Sequence, residues 1–360
     1  MKLRTLFPIP KFLSAEPIGI DISDGSVKFV QFKDTSTGPR LGIFGEKELP
    51  ADTIISGVVN NIDALVSALS EIKKETGAQV ASVSLPEEQA YLISLRLPFV
   101  PVASLREEIE LHIEDHVPLS VSDVEFGYDI LRYPESDKDS YDLSCAVMPK
   151  KIIEGYTSPF DRADLGISLL EIETHAVARA IIPHSMSGAV MIVDIGKKRT
   201  GIGIVSEHVL SFSSTIPVGG DQITVAISKG LDISFEEADL LKLSKGISRE
   251  KGDINLLSAM APPLAALKDE VTKNLVFWST HKNEFGVDRK PIERIYIVGG
   301  SSNLRGIDAY LSIGMGVPVS YGNPWINIAS FDDYIPPMEE ASSLRFTTAI
   351  GLVLGSLNYD

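Results

Sequence analysis

The stretch Glu16–Phe32, EPIGIDISDGSVKFVQF, reads as two apolar strand-like runs joined at Asp24-Gly25. An Asp-Gly pair between such runs is a strong two-residue hairpin signal, because a tight turn needs residues that tolerate a left-handed backbone. The pattern returns at Ala189–Ser206, AVMIVDIGKKRTGIGIVS. In each copy an aspartate, Asp21 or Asp194, stands at the end of a buried run two residues before a small residue, Ser23 or Gly196, and the chain then turns back. Repetition on this scale predicts two similar lobes rather than one continuous sheet.

Outward from the first copy, Leu65, Val66, Leu69 and Ile72 fall at helical spacing within Asp63–Glu75, and Gly77 ends that helix. A strand at Ala78–Leu85 leads to Pro86, where the character of the chain changes. A strand (Ala90–Leu97), an acidic helix (Ser104–Val117), two strands (Asp123–Tyr133, Tyr141–Met148) and a helix opening at Pro149 read as an inserted α+β subdomain. After the second copy come Pro217–Asp221, a helical stretch through Gly246, a helix at Leu256–His281, a strand at Ile292–Val298 and the turn Gly299–Ser302. The stretch Ser342–Leu357 reads as an Ala/Gly-containing helix suited to close packing on the first lobe. The expected division is an arm at 1–16, a first lobe at 17–85 with 171–188 and 336–360, an insertion at 86–170, and a second lobe at 189–335 with a helical part near 221–291.

Composition agrees with this organisation. At about 150 residues per domain, 360 residues make two or three folding units. Hydrophobic residues at 44% and charged residues at 23% fit a soluble globular protein and exclude disordered and collagen-like classes. A formal charge of -16 repels nucleic acid. No apolar run reaches about 18 residues, so no membrane span is expected, and the prolines of Met1–Leu13 argue against a secretory signal. Lone Cys145 reads as a reduced core thiol, with a cytoplasmic setting as the default.

Two hairpins, each headed by an acid, can face one another and hold a polyphosphate: turn amides donate to phosphate oxygens while Asp21 and Asp194 hold Mg²⁺, directly or through water. Gly196, and in the first turn Gly25 beside Ser26, allow close backbone approach. Lys197, Lys198 and Arg199 add positive charge there. A third element, Ile295–Ile307 (IYIVGGSSNLRGI), is a strand ending in a Gly-Gly turn before a helix, which offers amides and a flat surface at Gly299 and Gly300.

In this order the segments resemble the actin-like ATPase superfamily and, within it, the PilM family of type IV pilus assembly proteins. The resemblance rests also on Leu95–Leu131, on IPVGGDQIT (Ile216–Thr224) and on RIYIVGGSSNLRGIDAYL (Arg294–Leu311). It implies a two-lobed α/β fold, each lobe a mixed five-stranded sheet with flanking helices, with ATP and Mg²⁺ in the interlobe cleft. It places Asp21, Ser23, Gly25, Ser26 and Lys28 in the first phosphate loop. Asp194, Gly196, Lys197 and Lys198 fall in the second, followed by Gly219 and Gly220. Gly299, Gly300, Ser301 and Asn303 form the adenosine motif, Asp239 and Lys242 contact ribose and base, and Glu173 orients the attacking water. Ser23, where the family usually has glycine, and the strongly basic second loop imply weak or absent turnover.

The implied function is a cytoplasmic adaptor recruited to the inner face of the membrane by the cytoplasmic tail of a PilN-like single-span protein. Pilus motor ATPases and further copies of the chain are the other implied partners. The alternatives are an FtsA-like cell-division actin and an actin-fold small-molecule kinase or chaperone ATPase. His112 and His116, four apart on the acidic helix, lack the metalloprotease order and read as a helix face; His175 beside Glu173 reads as a packing residue.

Overall fold

The computed structural model describes residues 18–36, 38–136, 139–247 and 254–357; the arm at 1–16 lies outside them. Its strands are β1 (Ile18–Ile22), β2 (Ser26–Thr35), β3 (Gly38–Glu48), β4 (Ile54–Ile55), β5 (Val58–Val59), β6 (Val80–Leu85), β7 (Tyr91–Pro98), β8 (Val124–Arg132), β9 (Ser140–Pro149) and β10 (Gly166–Ile172). The second half adds β11 (Ala189–Ile195), β12 (Thr200–Ser206), β13 (Val209–Ile216), β14 (Ile292–Val298) and β15 (Val319–Tyr321). The α-helices are α1 (Ile62–Thr76), α2 (Leu105–Glu110), α3 (Lys150–Arg162), α4 (Glu173–Ile181), α5 (Gly220–Leu231), α6 (Phe235–Lys245), α7 (Ile254–Thr280), α8 (Ile307–Ser312), α9 (Glu340–Arg345) and α10 (Thr347–Leu357).

Two five-stranded sheets carry the duplicated pattern, with orders β10-β6-β1-β2-β3 and β13-β12-β11-β14-β15. Each centres on the strand that bears the aspartate, antiparallel to its hairpin partner and parallel to a later strand. Both faces of such a strand are covered, which is why IGIDI and AVMIVDI are almost continuously apolar. The C-terminal ends of β1, β6, β11 and β14 therefore open together, where an open α/β sheet receives a ligand.

A separate three-stranded sheet, β7-β9-β8, encloses its own small core with Leu105, Ile109, Ile113 and Val117. The acidic helix expected over Ser104–Val117 is an α-helix only through Glu110 and then tightens into a 3₁₀ turn at Ile113–Asp115. His112 and His116 thus lie outside any α-helix. The four-residue apolar spacing survives because all four side chains reach that core. Cys145 is buried there, and burial pushes its thiol up to about 12, too high for a nucleophile.

The small sheet ends at Pro149, so an insertion extending to 170 is too long. Ile152, Tyr156 and Phe160 of α3 enter the first-lobe core, and β10 pairs with β6 in the first-lobe sheet. Trp325 likewise packs against Phe32 of β2, with ring centroids 6.3 Å apart, and the Tyr334 hydroxyl accepts the Leu41 N–H at 3.0 Å, although the division read from the sequence puts both in the second lobe. No helix among the described residues is long and apolar enough to cross a membrane.

The first lobe is closed by α10, which packs on β1, β6 and α4. Contact is so close that a Cβ on Gly351 would fall 1.8 Å from the Ala176 carbonyl oxygen, and one on Gly19 would fall 2.1 Å from that of Ala349. Backbone on both sides leaves nothing to give. Gly351→Ala is expected to lower stability by about 1–3 kcal/mol, the usual cost of forcing atoms into a filled interior; urea denaturation reads it, and an unchanged midpoint would refute the close approach.

Candidate functional site

The open strand ends enclose a cleft of about 690 Å³ between the lobes. It is lined by Asp21, Ser23, Gly25, Ser26 and Lys28 from one side and by Asp194, Gly196, Lys197, Lys198 and Gly220 from the other. Glu173, Asp239, Lys242, Gly299, Gly300, Ser301 and Asn303 also reach it. Gly219 does not, because it sits behind the second loop. A Cβ there would come within 2.7 Å of the Lys197 oxygen and the Arg199 nitrogen.

The first loop is closed by the Ser23 N–H donating to the Ser26 oxygen at 3.0 Å. Asp21 is fixed from the neighbouring strand: the Ser84 hydroxyl donates to its Oδ1 at 3.1 Å, and Ser84 Oγ accepts the Ile22 N–H. Lys28 Nζ lies 3.8 Å from Asp21 Oδ2 and 4.0 Å from Glu46. The second loop is clamped to the start of α5, with the Gly220 N–H donating to the Gly196 oxygen at 3.0 Å and the Asp221 N–H to that of Lys197 at 2.8 Å. Gly299, at φ 91°, abuts Asp194 so closely that a Cβ would fall 2.2 Å from Oδ1. Only glycine fits this contact.

Lys242 is buried and already satisfied, donating to Thr224 Oγ1 and Asp239 Oδ1, both at 2.6 Å. Burial pushes the Asp239 carboxyl up, but the hydrogen bond and charge of Lys242 outweigh it and hold the group below its ordinary value. His175 turns away from the cleft toward Asp129 of the small sheet at 3.9 Å, and burial lowers its pKa.

Four carboxyl groups share the floor of the cleft. Burial, opposed by Lys28 and the Ser84 hydroxyl, raises Asp21. Burial and the charge of Asp21 push Asp194 up to about 6. Glu173, at the start of α4, is raised well above its ordinary value by burial and then by Asp21, Asp194 and Glu87. Burial and the charge of Asp194 push Glu87 up to about 8. Against four acids stands Lys28, whose charge lowers Asp21, Glu173 and Asp194. Such a floor is short of positive charge, which a divalent cation would supply.

Glu87 was missed from the sequence. It accepts the Thr174 hydroxyl on Oε2, while Oε1 has no hydrogen-bond partner among the described residues. Nothing local marks it: Glu87-Glu88 follows Pro86 just past the end of β6, and only the pairing of β6 with β1, which sets Ser84 beside Asp21, brings it to the floor of the cleft.

Arg199 also differs from expectation. It is engaged by two first-lobe carboxylates, Asp24 of the first loop and Glu88, so its charge ties the lobes together rather than waiting for phosphate. Arg199→Ala removes both ties, and amide exchange in both loops is expected to speed up about tenfold or more. Arg199→Lys should restore only part of the protection, because an ammonium cannot fork between two acids. Equal exchange in all three proteins would remove the tie.

Among the described residues no group of three or more His, Cys, Asp or Glu is placed to hold a metal ion. Mg²⁺ keeps several waters and takes one or two carboxylates plus phosphate oxygens, and the cleft carboxyls Asp21 and Asp194 are donors of that type.

The family model of type IV pilus assembly protein PilM matches residues 19–357. The chain belongs to that family. The PilM–PilN type IV pilus biogenesis complex contains a chain that superposes with a TM-score of 0.79 at 19% identity, covering 95% of this chain and 99% of that one. MreB 5 of Spiroplasma citri bound to AMPPNP gives 0.56 at 12% identity over 95% and 96% of the two chains. These likenesses establish the actin-like two-lobed fold. Cell division protein FtsA of Enterococcus faecalis (strain ATCC 700802 / V583) is 25% identical over 258 residues, 64% of this chain and 58% of FtsA. The chain thus spans little more than half the length of that relative.

Proposed function

We propose that this PilM-family chain is a nucleotide-binding adaptor of type IV pilus assembly, working on the cytoplasmic side of the membrane. The observation that carries the nucleotide part is the pair of acid-headed hairpins facing across a cleft whose floor sets four acids against Lys28. Asp21 and Asp194 would hold Mg²⁺ with its waters, the amides around Gly25, Ser26 and Gly196 the phosphates, and Gly299 and Gly300 the adenosine. Asp239 and Lys242 would meet the ribose and base. Bound Mg²⁺ supplies the countercharge for the phosphates, and Glu173 is the group suited to orient water beside them, with slow turnover expected.

The partner in this reading is the cytoplasmic tail of a PilN-like single-span protein, received along the first lobe and the small sheet. Support comes from the similarity to a PilM–PilN complex. Calorimetry with tail peptides of PilN-like proteins from the same genome, with and without ATP, tests it. Binding of at least one such peptide is expected, and none under either condition would sink the adaptor reading. The FtsA similarity favours a second reading, an adaptor of cell division. Binding of division-protein tails instead would select it.

A further inference from the structure

A second groove, of about 590 Å³, lies away from the nucleotide cleft, where the small sheet meets the second lobe. One wall is formed by the six consecutive residues Leu92–Leu97 of β7. That strand is the edge of its sheet: among the described residues it pairs with β9 on one side and with no strand on the other. Apart from the ladder with β9, no backbone hydrogen bond reaches Leu92–Leu97 among the described residues. The opposite wall includes Phe212 of β13, itself an edge strand, with Phe277, Phe285 and Arg289 of the second lobe.

The aromatic wall is built rather than scattered. Phe212 and Phe277 lie 5.9 Å apart, the Arg96 guanidinium stands 4.6 Å over Phe285, and that of Arg289 stands 5.1 Å over Phe277 and 4.6 Å over Trp278. Arg96 is satisfied by Asp142, at 2.6 and 3.0 Å. Arg289 is not. Its side chain is only 7% exposed, its nearest carboxylate, Glu284, is 3.7 Å away, and Nε and Nη1 have no hydrogen-bond partner among the described residues. A buried guanidinium with unused donors is costly, and a carboxylate is the planar acceptor that matches it.

From the open strand edge, the aromatic wall and Arg289 we infer that this groove receives an extended, acidic segment of a partner protein, added as a fourth strand to β7. Main-chain hydrogen bonds to the free edge would supply length-dependent affinity, as strand addition does elsewhere. Alternate side chains of the added strand would face the second lobe, one apolar group against Phe277 and Phe285 and one Asp or Glu toward Arg289. The site lies at the edge of the small sheet opposite β8, the strand that His175 approaches. An unpaired edge is an aggregation hazard that proteins ordinarily cover, and this groove gives the cover a defined shape.

The test uses the full chain without nucleotide, so it stands whether or not the nucleotide reading holds. A display library of ten-residue peptides is selected on the protein, and enriched peptides are synthesised and measured by fluorescence anisotropy. Enrichment of alternating sequences with Asp or Glu near an apolar or aromatic residue is expected, with slowed amide exchange in Leu92–Leu97. Arg289→Met, which keeps bulk and removes the donors, should weaken binding at least about tenfold. Replacing the acid of the peptide by its amide should weaken it equally and leaves the protein untouched, so misfolding of the variant cannot decide the result. Failure to enrich acidic peptides, protection elsewhere than β7, or affinity indifferent to the peptide's acid would overturn the inference. Competition by PilN-like tail peptides would show a shared site and overturn the assignment of a separate ligand.

Discussion

Asp194→Ala is expected to abolish Mg²⁺-dependent ATP binding while making the empty protein more stable. Loss of an outer partner of a metal costs about 10- to 100-fold in affinity, so loss of a carboxylate beside the ion should cost at least about 100-fold. The stability gain follows from the same residue. Its carboxyl is pushed from 3.8 up to about 6 by burial and by the charge of Asp21. Between these values the folded protein binds more protons than the unfolded chain, so stability falls as pH rises through that window and the full penalty remains above it. Two units correspond to about 3 kcal/mol, an upper figure that lost packing in the alanine variant would reduce to roughly 1–2 kcal/mol at pH 7.5. Calorimetry and urea denaturation read the two effects separately. Unchanged nucleotide affinity and metal dependence would overturn the site assignment, whatever the stability did.

The second large effect concerns Glu87. Its carboxyl is pushed from 4.5 up to about 8, first by burial and then by Asp194. The folded state again holds the proton longer, so the empty protein should lose stability steadily from about pH 4.5 to about 8. Glu87→Gln keeps the shape and the acceptor for the Thr174 hydroxyl but cannot ionise. The variant should show a visibly flatter profile, matching the parent at pH 5 and exceeding it by a few kcal/mol at pH 8, on the order expected for a shift of this size. Denaturation series at pH 5, 6.5 and 8 decide it. Identical slopes in the two proteins would mean that Glu87 ionises freely.

The lobes were legible because their decisive residues are neighbours in sequence. Asp21 and Asp194 each sit inside an apolar run that has to be a covered strand, followed by turn chemistry that leaves one local solution. The Gly-Gly turn after β14 was legible for the same reason. Glu87 and the engagement of Arg199 were not, since both depend on which strand lies beside β1 and on how the lobes face each other. The tightening after Glu110 was hidden as well: apolar residues spaced by four fit an α-helix and a helix with a 3₁₀ turn alike. The overlong insertion has a related cause. The apolar face of α3 announces burial without saying which core receives it.

The contact between Gly19 and Ala349 has a consequence for how the chain is assembled. The second lobe draws one face of its buried core from one continuous stretch, Ala189 to Met315, and that face can condense as soon as the stretch exists, while Val190, Ile192 and Val298 on the other face are buried with first-lobe residues. The first lobe cannot, because β1 must wait for α10 before its outer face is covered. Closing so long a loop is slow, and until it happens an apolar sheet stands partly bare. The lobe that begins earlier in the sequence is thus the one whose core needs the last helix to be complete.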